Sequence, residues 1–306
     1  MTINKDDSNP LMCDPVTGIC EIPGAEGKGE INTQSINKPI KITYFSDPIC
    51  SACWGVEPTL RKLKLEYGDA IDFEYHMGGL LPSWEALGTG VNPTVLASHS
   101  DQLSAHFQIP VNGDIWLQDP PHSSYPASIA FKAAQMQDEE KAISFLRKIR
   151  EDLYVRGINI AKWKNLEKTA AAVGLDTDKL KTEYEGDAKK AFQEDLVLAQ
   201  KMSVRGFPSF TLTNSEGATA QVYGMKPYGE FEHTLKQMDK GIQKQSVSTD
   251  WKSLFVRFNS MTTKEFADFS EVSFQQAEDI LDGLAKGGEI DKLSTKNGQL
   301  WTKERL

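Results

Sequence analysis

Cys50 and Cys53 stand two residues apart in YFSDPICSACWGVEP, where one hydrophobic pattern gives way to another. Before them IKITYF, starting at Ile40, alternates and is rich in β-branched and aromatic residues, which predicts a strand. After them Val56, Leu60, Leu63 and Tyr67 fall at helical spacing, and Gly68 supplies a natural stop. IDFEYHMGG reads as a second strand, so the cysteines lie at the strand-to-helix turn of a βαβ unit. Cysteine reacts as the thiolate, and a helix N-terminus favours that anion through unpaired amide hydrogens and the positive end of its dipole. Cys50, at the helix start, is therefore expected to be the more exposed and more acidic thiol, the one that attacks a disulfide. Cys53, one turn inside, is expected to resolve the mixed disulfide.

Other uses of such a pair fit less well. Half a zinc site also reads C-x-x-C, but it needs two more ligands. The remaining cysteines, Cys13 and Cys20, lie near the N-terminus, and His76, His99, His106, His122 and His233 are scattered. His99 and His106 fit one helix face and read as surface residues. No metal and no cofactor is called for. Packing cysteines do not require this spacing at this junction. A second feature agrees with redox chemistry: VRGFPSF puts Pro208 at the start of a strand pattern, where proline lacks a ladder donor. A cis Phe207–Pro208 bond would turn this loop toward the cysteines and leave backbone groups near Phe207 free to pair with an extended peptide.

Residues 1–38 are polar and poor in large apolar side chains, and read as a mobile tail. Within it Asp14-Pro15 and Gly18 favour a turn that lets Cys13 and Cys20 close a small loop. The tail's length suffices to bring them to Cys50 as an auxiliary redox pair; idle thiols or a metal clip are the alternatives. From 90 to 203 the pattern is mostly helical, and a strand pair with its turn at Asn214–Gly217 and a helix complete a unit spanning 39–243. A polar linker, 241–250, leads to 251–306, where two helices and a hairpin with Asn297-Gly298 at its tip outline a small winged helix. Its second helix carries Glu278, Asp279 and Asp282 against Lys286, which argues for protein contact rather than DNA. The net charge of −9 likewise argues against nucleic acid or an anionic membrane as partner. The opening residues show no basic and apolar leader pattern, and the expected compartment is the cytoplasm.

The C-x-x-C after a strand, Pro58 in the following helix and Gly-Phe-Pro before a terminal hairpin resemble the thioredoxin fold; the helical stretch between them resembles the DsbA-like branch. DPICSACWGVEPTLRKLKLEYG, MGGLLPSW, DIWLQDPPHSSYPASIAFKAAQ and VRGFPSF are similar to FrnE-like cytoplasmic oxidoreductases of that family. With the C-terminal TKEFADFS and QLWTK, the framework from 39 to 306 is also similar to the SpxH/YjbH adaptors, which present the regulator Spx to the ClpXP protease. The first resemblance implies an α/β enzyme, a dithiol–disulfide oxidoreductase or isomerase acting on protein or peptide thiols. Cys50 would be its nucleophile and Cys53 its resolving thiol. Phe207, Pro208 and Trp54 would line the substrate side, and a thioredoxin- or glutathione-type donor would supply electrons. The second implies an adaptor whose client binding survives loss of both thiols. Intact thiols and an intact proline loop put the enzyme first. Ile49 stands before the first cysteine where thioredoxin has tryptophan, and Ser51-Ala52 differs from the usual dipeptides, so no reduction potential carries over.

Overall fold

The computed structural model describes residues 13–14, 17–21, 38–86 and 92–303. A two-residue strand, β1 (Cys20–Glu21), precedes the main body. That body begins with β2 (Ile40–Ser46), α1 (Ser51–Gly55), α2 (Glu57–Tyr67) and β3 (Ile71–Met77), the expected βαβ unit with β2 and β3 parallel. Seven helices follow: α3 (Pro93–Phe107), α4 (Ile115–Gln118), α5 (Tyr125–Gln137), α6 (Glu139–Tyr154), α7 (Trp163–Ala172), α8 (Thr177–Glu185) and α9 (Ala188–Lys201). The chain then forms β4 (Gly206–Phe207), the hairpin β5 (Ser209–Asn214) and β6 (Thr219–Tyr223), and α10 (Tyr228–Met238).

The central sheet runs β3-β2-β5-β6, with β5 antiparallel to both neighbours. Adjacent residues of a strand point to opposite faces, and Tyr44 and Phe45 are both buried, so helices cover both sides. Tyr44 stacks on Phe210 of β5 at 4.5 Å, and Phe210 meets Phe231 of α10 edge-on at 4.9 Å. In the insertion α5 is the hub: Ala127, Ala130, Ala133 and Ala134 are fully buried, and such small side chains allow α6, α8 and α9 to pack close to it.

The C-terminal part comprises α11 (Trp251–Arg257), β7 (Ser260–Thr262), α12 (Thr263–Ser270), α13 (Phe274–Lys286), β8 (Asp291–Thr295) and β9 (Gly298–Thr302), with sheet order β7-β9-β8. Both α12 and α13 start with reciprocal caps, Thr262 with Glu265 and Ser273 with Gln276. Its own core holds Phe255, Met261, Phe266, Phe269, Leu281 and Trp301, and Leu65 of α2 joins that cluster. The attachment is charged as well as apolar. Glu265, fully buried, accepts from Arg61 Nη1 at 2.7 Å and from both Nη atoms of Arg147 at 2.7 and 2.9 Å. Lys62 Nζ donates to Asp268 O at 2.6 Å. At the far end Asn297 Nδ2 donates to Asp101 Oδ1 at 2.6 Å and to Val111 O at 2.8 Å, so the hairpin tip is docked on the α3–α4 region. The 241–250 stretch, read as a linker, contains no helix or strand, yet it is tied to α2: Gln245 N–H donates to Glu66 O, and Gln245 Nε2 to Leu65 O, each at 2.8 Å.

One reading of the N-terminal tail changes. Residues 13–21 were expected to be mobile, but Cys13 and Cys20 are buried in the main core. The reason is backbone pairing of β1 with β4, antiparallel, which fixes Cys20 opposite Phe207. Residues 1–12, 15–16 and 22–37 of that tail lie outside the described residues.

Candidate active site

Cys50 closes the N-terminus of α1 in an extended conformation, and its Sγ accepts from the Cys53 N–H at 3.2 Å. Cys50 thus caps the helix with its own sulfur, four residues past the end of β2 at Ser46. Across from it the Phe207–Pro208 bond is cis, and Phe207 O lies 3.9 Å from Cys50 Sγ. The proline loop thus faces the cysteines.

The groove between them is occupied by the chain's own residues 17–21. Cys13 and Cys20 form a disulfide, and Cys20 Sγ lies 3.1 Å from Cys50 Sγ. The expectation that the backbone near Phe207 is free for a peptide is therefore corrected: β1 already holds that edge. A tight turn, with Asp14 N–H donating to Ile19 O and Gly18 N–H to Asp14 O, leads into it. Cys13 is held from two sides, by Ser51 Oγ 3.1 Å from its Sγ and by His99 Nε2 2.7 Å from its carbonyl.

Three glycines make room for this segment. Gly18 adopts φ +65°, and a Cβ there would lie 2.4 Å from Met225 Cβ. Met225 N–H donates to Gly18 O at 2.9 Å. A Cβ at Gly206 would sit 2.6 Å from Cys20 O, and one at Gly224 2.3 Å from Thr17 O. Any larger residue on either side would push the strap out.

Both active cysteines are fully buried under this cover, which overturns the expected exposure and acidity of Cys50. Burial pushes the Cys50 thiol up, and its hydrogen bond to Cys53 and the charge on that sulfur add to the effect. For Cys53, burial also raises, but the hydrogen bond from Cys50, the Arg150 guanidinium and Ser46 outweigh it and hold the thiol below its usual value. Arg150 is itself fully buried, bonded to Glu57 and Ser46. Asp47, beside the cysteine turn, accepts from Ile49 N–H at 2.9 Å, Leu80 N–H at 2.7 Å and Ser124 Oγ at 2.8 Å. Burial, against those bonds, raises its carboxyl to about 6.

Of the residues read from the sequence, Cys50, Cys53, Phe207, Pro208, Cys13 and Cys20 come together here. Trp54 does not belong to the substrate side. It points inward, donates from Nε1 to Pro110 O at 2.9 Å, stacks near Tyr154 and lies under Arg147, whose Cζ is 4.5 Å from the ring. Helical phase explains this: one residue past Cys53, α1 turns its side chain into the core. Phe207 offers only backbone, because its ring packs onto Gly78, where a Cβ would fall 1.8 Å from Cζ. His99, read as a surface residue, is buried against Cys13. The sulfurs of Cys13, Cys20 and Cys50 lie within 4.8 Å of one another, but two of them are joined, so they could hold a metal only after reduction.

The family model described as thioredoxin matches residues 44–233. The ClpXP adapter protein SpxH of Halalkalibacterium halodurans is 28% identical over 96% of this chain and 97% of its own length. The ClpXP adapter protein SpxH of Bacillus subtilis is 30% identical over 86% of this chain and 89% of its own. Among solved structures, the cytosolic disulfide reductase DsbM from Pseudomonas aeruginosa superposes with a TM-score of 0.52 at 22% identity, covering 64% of this chain and 99% of that one. The last likeness is one of fold, confined to about two thirds of the chain; the adapters match across almost all of it.

Proposed function

The chain belongs to the thioredoxin family, among the relatives of the adapter SpxH, and from that premise we propose that it is an adaptor which holds a client protein and presents it to the ClpXP protease. The observation that carries this reading is the closed site: both thiols are buried and the groove's backbone edge is taken by the chain's own strand. A site covered by its own chain is ill placed to turn over outside peptides, whereas a client can be held on other surfaces of the molecule while it stays covered. The C-terminal part, which we read as a winged-helix-like module for protein contact, adds support. It is fastened to the thioredoxin unit through Glu265, Arg61 and Arg147. A cytoplasmic place of action follows from this reading. No helix among the described residues is long and apolar enough to cross a membrane. The test is the degradation rate of Spx by ClpXP with and without this chain. The expected result is acceleration that persists in Cys50→Ser/Cys53→Ser. No acceleration by the unsubstituted chain overturns the adaptor.

A second reading, thiol–disulfide exchange with protein or peptide thiols, is favoured by one specific observation: a disulfide sulfur rests 3.1 Å from Cys50 Sγ beside the cis-proline loop. In that reading Cys50 attacks and Cys53 resolves. Reduction of a peptide disulfide by a thioredoxin- or glutathione-type donor, lost in Cys50→Ser, is its measure. Turnover that survives Cys50→Ser refutes it.

A further inference from the structure

We propose that the Cys13–Cys20 disulfide is a built-in substrate of the Cys50/Cys53 pair, seated in the peptide groove as an extended strand, with Cys20 as the sulfur attacked and Cys13 as the leaving group. The inference rests on the second reading above, that Cys50 exchanges disulfides.

Three independent features place this segment as a substrate rather than as a neighbour. Its strand pairs with the residues before the cis-proline, the edge where an extended peptide adds to such a fold. Its conformation is fitted to the site through Gly18, Gly206 and Gly224, with the half-buried Ile19 side chain packed where Cβ atoms on Gly206 and Gly224 would otherwise stand. Its disulfide presents one particular sulfur: Cys20 Sγ is 3.1 Å from Cys50 Sγ. The other sulfur, Cys13, has the Ser51 hydroxyl 3.1 Å away, a donor for the thiolate that would leave.

The exchange is balanced within the chain. The proton of Cys50 passes to the thiolate partner with which it shares a hydrogen bond, Cys53. The Cys50 thiolate attacks Cys20 Sγ; the Cys20–Cys13 bond breaks as the Cys20–Cys50 bond forms, and Cys13 departs as thiolate. The Ser51 hydroxyl holds the leaving Cys13 thiolate, Cys53 gives its proton up to solvent, from which Cys13 takes one, and the Cys53 thiolate attacks Cys50, forming Cys50–Cys53 and releasing the Cys20 thiolate. Two electrons move from the Cys50/Cys53 dithiol to the Cys13/Cys20 pair, and no external oxidant enters. Once Cys13 and Cys20 are reduced, the covalent tie is gone and the strap is left to its backbone pairing and the Met225 bond, so the same step weakens the cover over the groove.

The experiment uses the full chain carrying Cys53→Ser. It is reduced, oxidised with one equivalent of diamide, quenched in acid, blocked with N-ethylmaleimide and mapped without reduction. The expected product is a monomer with a Cys20–Cys50 bond and an alkylated Cys13. Adding Gly18→Val, which drives a side chain into Met225 and lifts the strap, should lower that product on the order of tenfold or more, because a tethered but undocked segment competes only at millimolar effective concentration. A Cys13–Cys50 bond, a chain holding only Cys13–Cys20, or no effect of Gly18→Val each overturns the proposal. Should Cys53→Ser not fold, the unsubstituted chain carrying one disulfide serves instead. Finding both Cys13–Cys20 and Cys50–Cys53 pairings supports the transfer, and one pairing that never changes with time overturns it. Cys13→Ser/Cys20→Ser with oxidised glutathione separates the two claims. If its Cys50 forms the mixed disulfide with glutathione while the Cys53→Ser chain shows no Cys20–Cys50 bond, exchange stands and the built-in substrate falls; if Cys50 forms neither bond in the two chains, both fall.

Discussion

Replacing Glu265 by Gln should loosen the C-terminal module from the thioredoxin unit. The carboxylate is fully buried between Arg61 and Arg147, and its Oε2 also accepts from Thr262 N–H at 2.7 Å to cap α12. Burial alone would raise its pKa, but Arg147 and Arg61 outweigh burial and hold it down from 4.5 to about 2. That difference corresponds to about 3 kcal/mol. An independent route gives the same scale: breaking a buried pair by removing one charge costs about 3–5 kcal/mol, because the partner is left uncompensated. Gln keeps the shape and one acceptor, so the cap is largely retained and the charge is what is lost; Ala should cost about 1 kcal/mol more through the cap. A loss of this size lowers the melting temperature by roughly 5–10 °C in a chain this long. Melting followed by tryptophan fluorescence measures it, since Trp301 is buried in the module's core and Trp54 lies beneath Arg147. Trypsin provides the second readout, with faster cleavage after Lys244 and Arg257 as α2 lets go of the connecting stretch. A Glu265→Gln chain that melts within about 2 °C of its parent and resists trypsin equally would refute the buried pair as the fastening.

Stability should have opposite slopes on the two sides of pH 5. Asp47 has its folded pKa raised to about 6, so its contribution is complete below 3.8 and is lost as pH rises through 6; Glu265, lowered to about 2, contributes above 4.5 and is lost as pH falls toward 2. Urea titrations from pH 7 to 3 should therefore show a rise and then a fall, and a monotonic decline from pH 7 would contradict the Asp47 environment. Trp54→Phe removes the bond to Pro110 O and should cost about 2 kcal/mol without changing the rate at which Cys50 meets an external peptide disulfide; a normal melt with slowed exchange would return Trp54 to the substrate side. Asn297→Ala cuts both tip contacts, and hydrogen exchange across 291–302 should quicken, consistent with a loss of about 1 kcal/mol; unchanged protection means the tip is held otherwise. Duplex DNA titrated against the full chain should give no salt-sensitive anisotropy change, given the acidic face of α13; a steep salt slope would overturn the protein-contact reading.

Much of this architecture was legible because its signals are local. Strand alternation at Ile40–Phe45, helical spacing at Val56–Tyr67 and the turn residues at Asn214–Gly217 and Asn297-Gly298 each specify one element without help from the rest. The C-x-x-C turn was readable for the same reason, whereas the cis Phe207–Pro208 bond was preferred to a trans proline on an edge strand only because of the distant cysteines. The strap was not. A two-residue strand is too short to show a period, and its partner Gly206–Phe207 lies in a remote part of the chain. Its traces were Gly18, Gly206 and Gly224, which carry meaning only when they are seen to face one another. Trp54 misled because its place next to Cys53 in sequence suggests the groove, whereas the helix turns it inward. His99 misled because nothing in its own helix marks it as the partner of a carbonyl far along the chain. The ranking of enzyme over adaptor rested on intact thiols, a feature the two classes share; similarity across the C-terminal part as well as the thioredoxin unit favours the adaptor.

The docked hairpin tip has a consequence for the order in which the protein folds. Lys296 and Asn297 supply partners to Asp101, Asp114 and the Val111 carbonyl, 182 to 196 residues earlier in the chain. Until they dock, the loop carrying Pro110, whose carbonyl anchors Trp54, lacks its outer support. The helix that carries Cys53 is thus buttressed, through Trp54 and Pro110, by the C-terminal hairpin. A nascent chain stalled before β9 would carry its reactive cysteines in an unfinished setting, and the long separation between the partners makes this closure a late, slow step of folding.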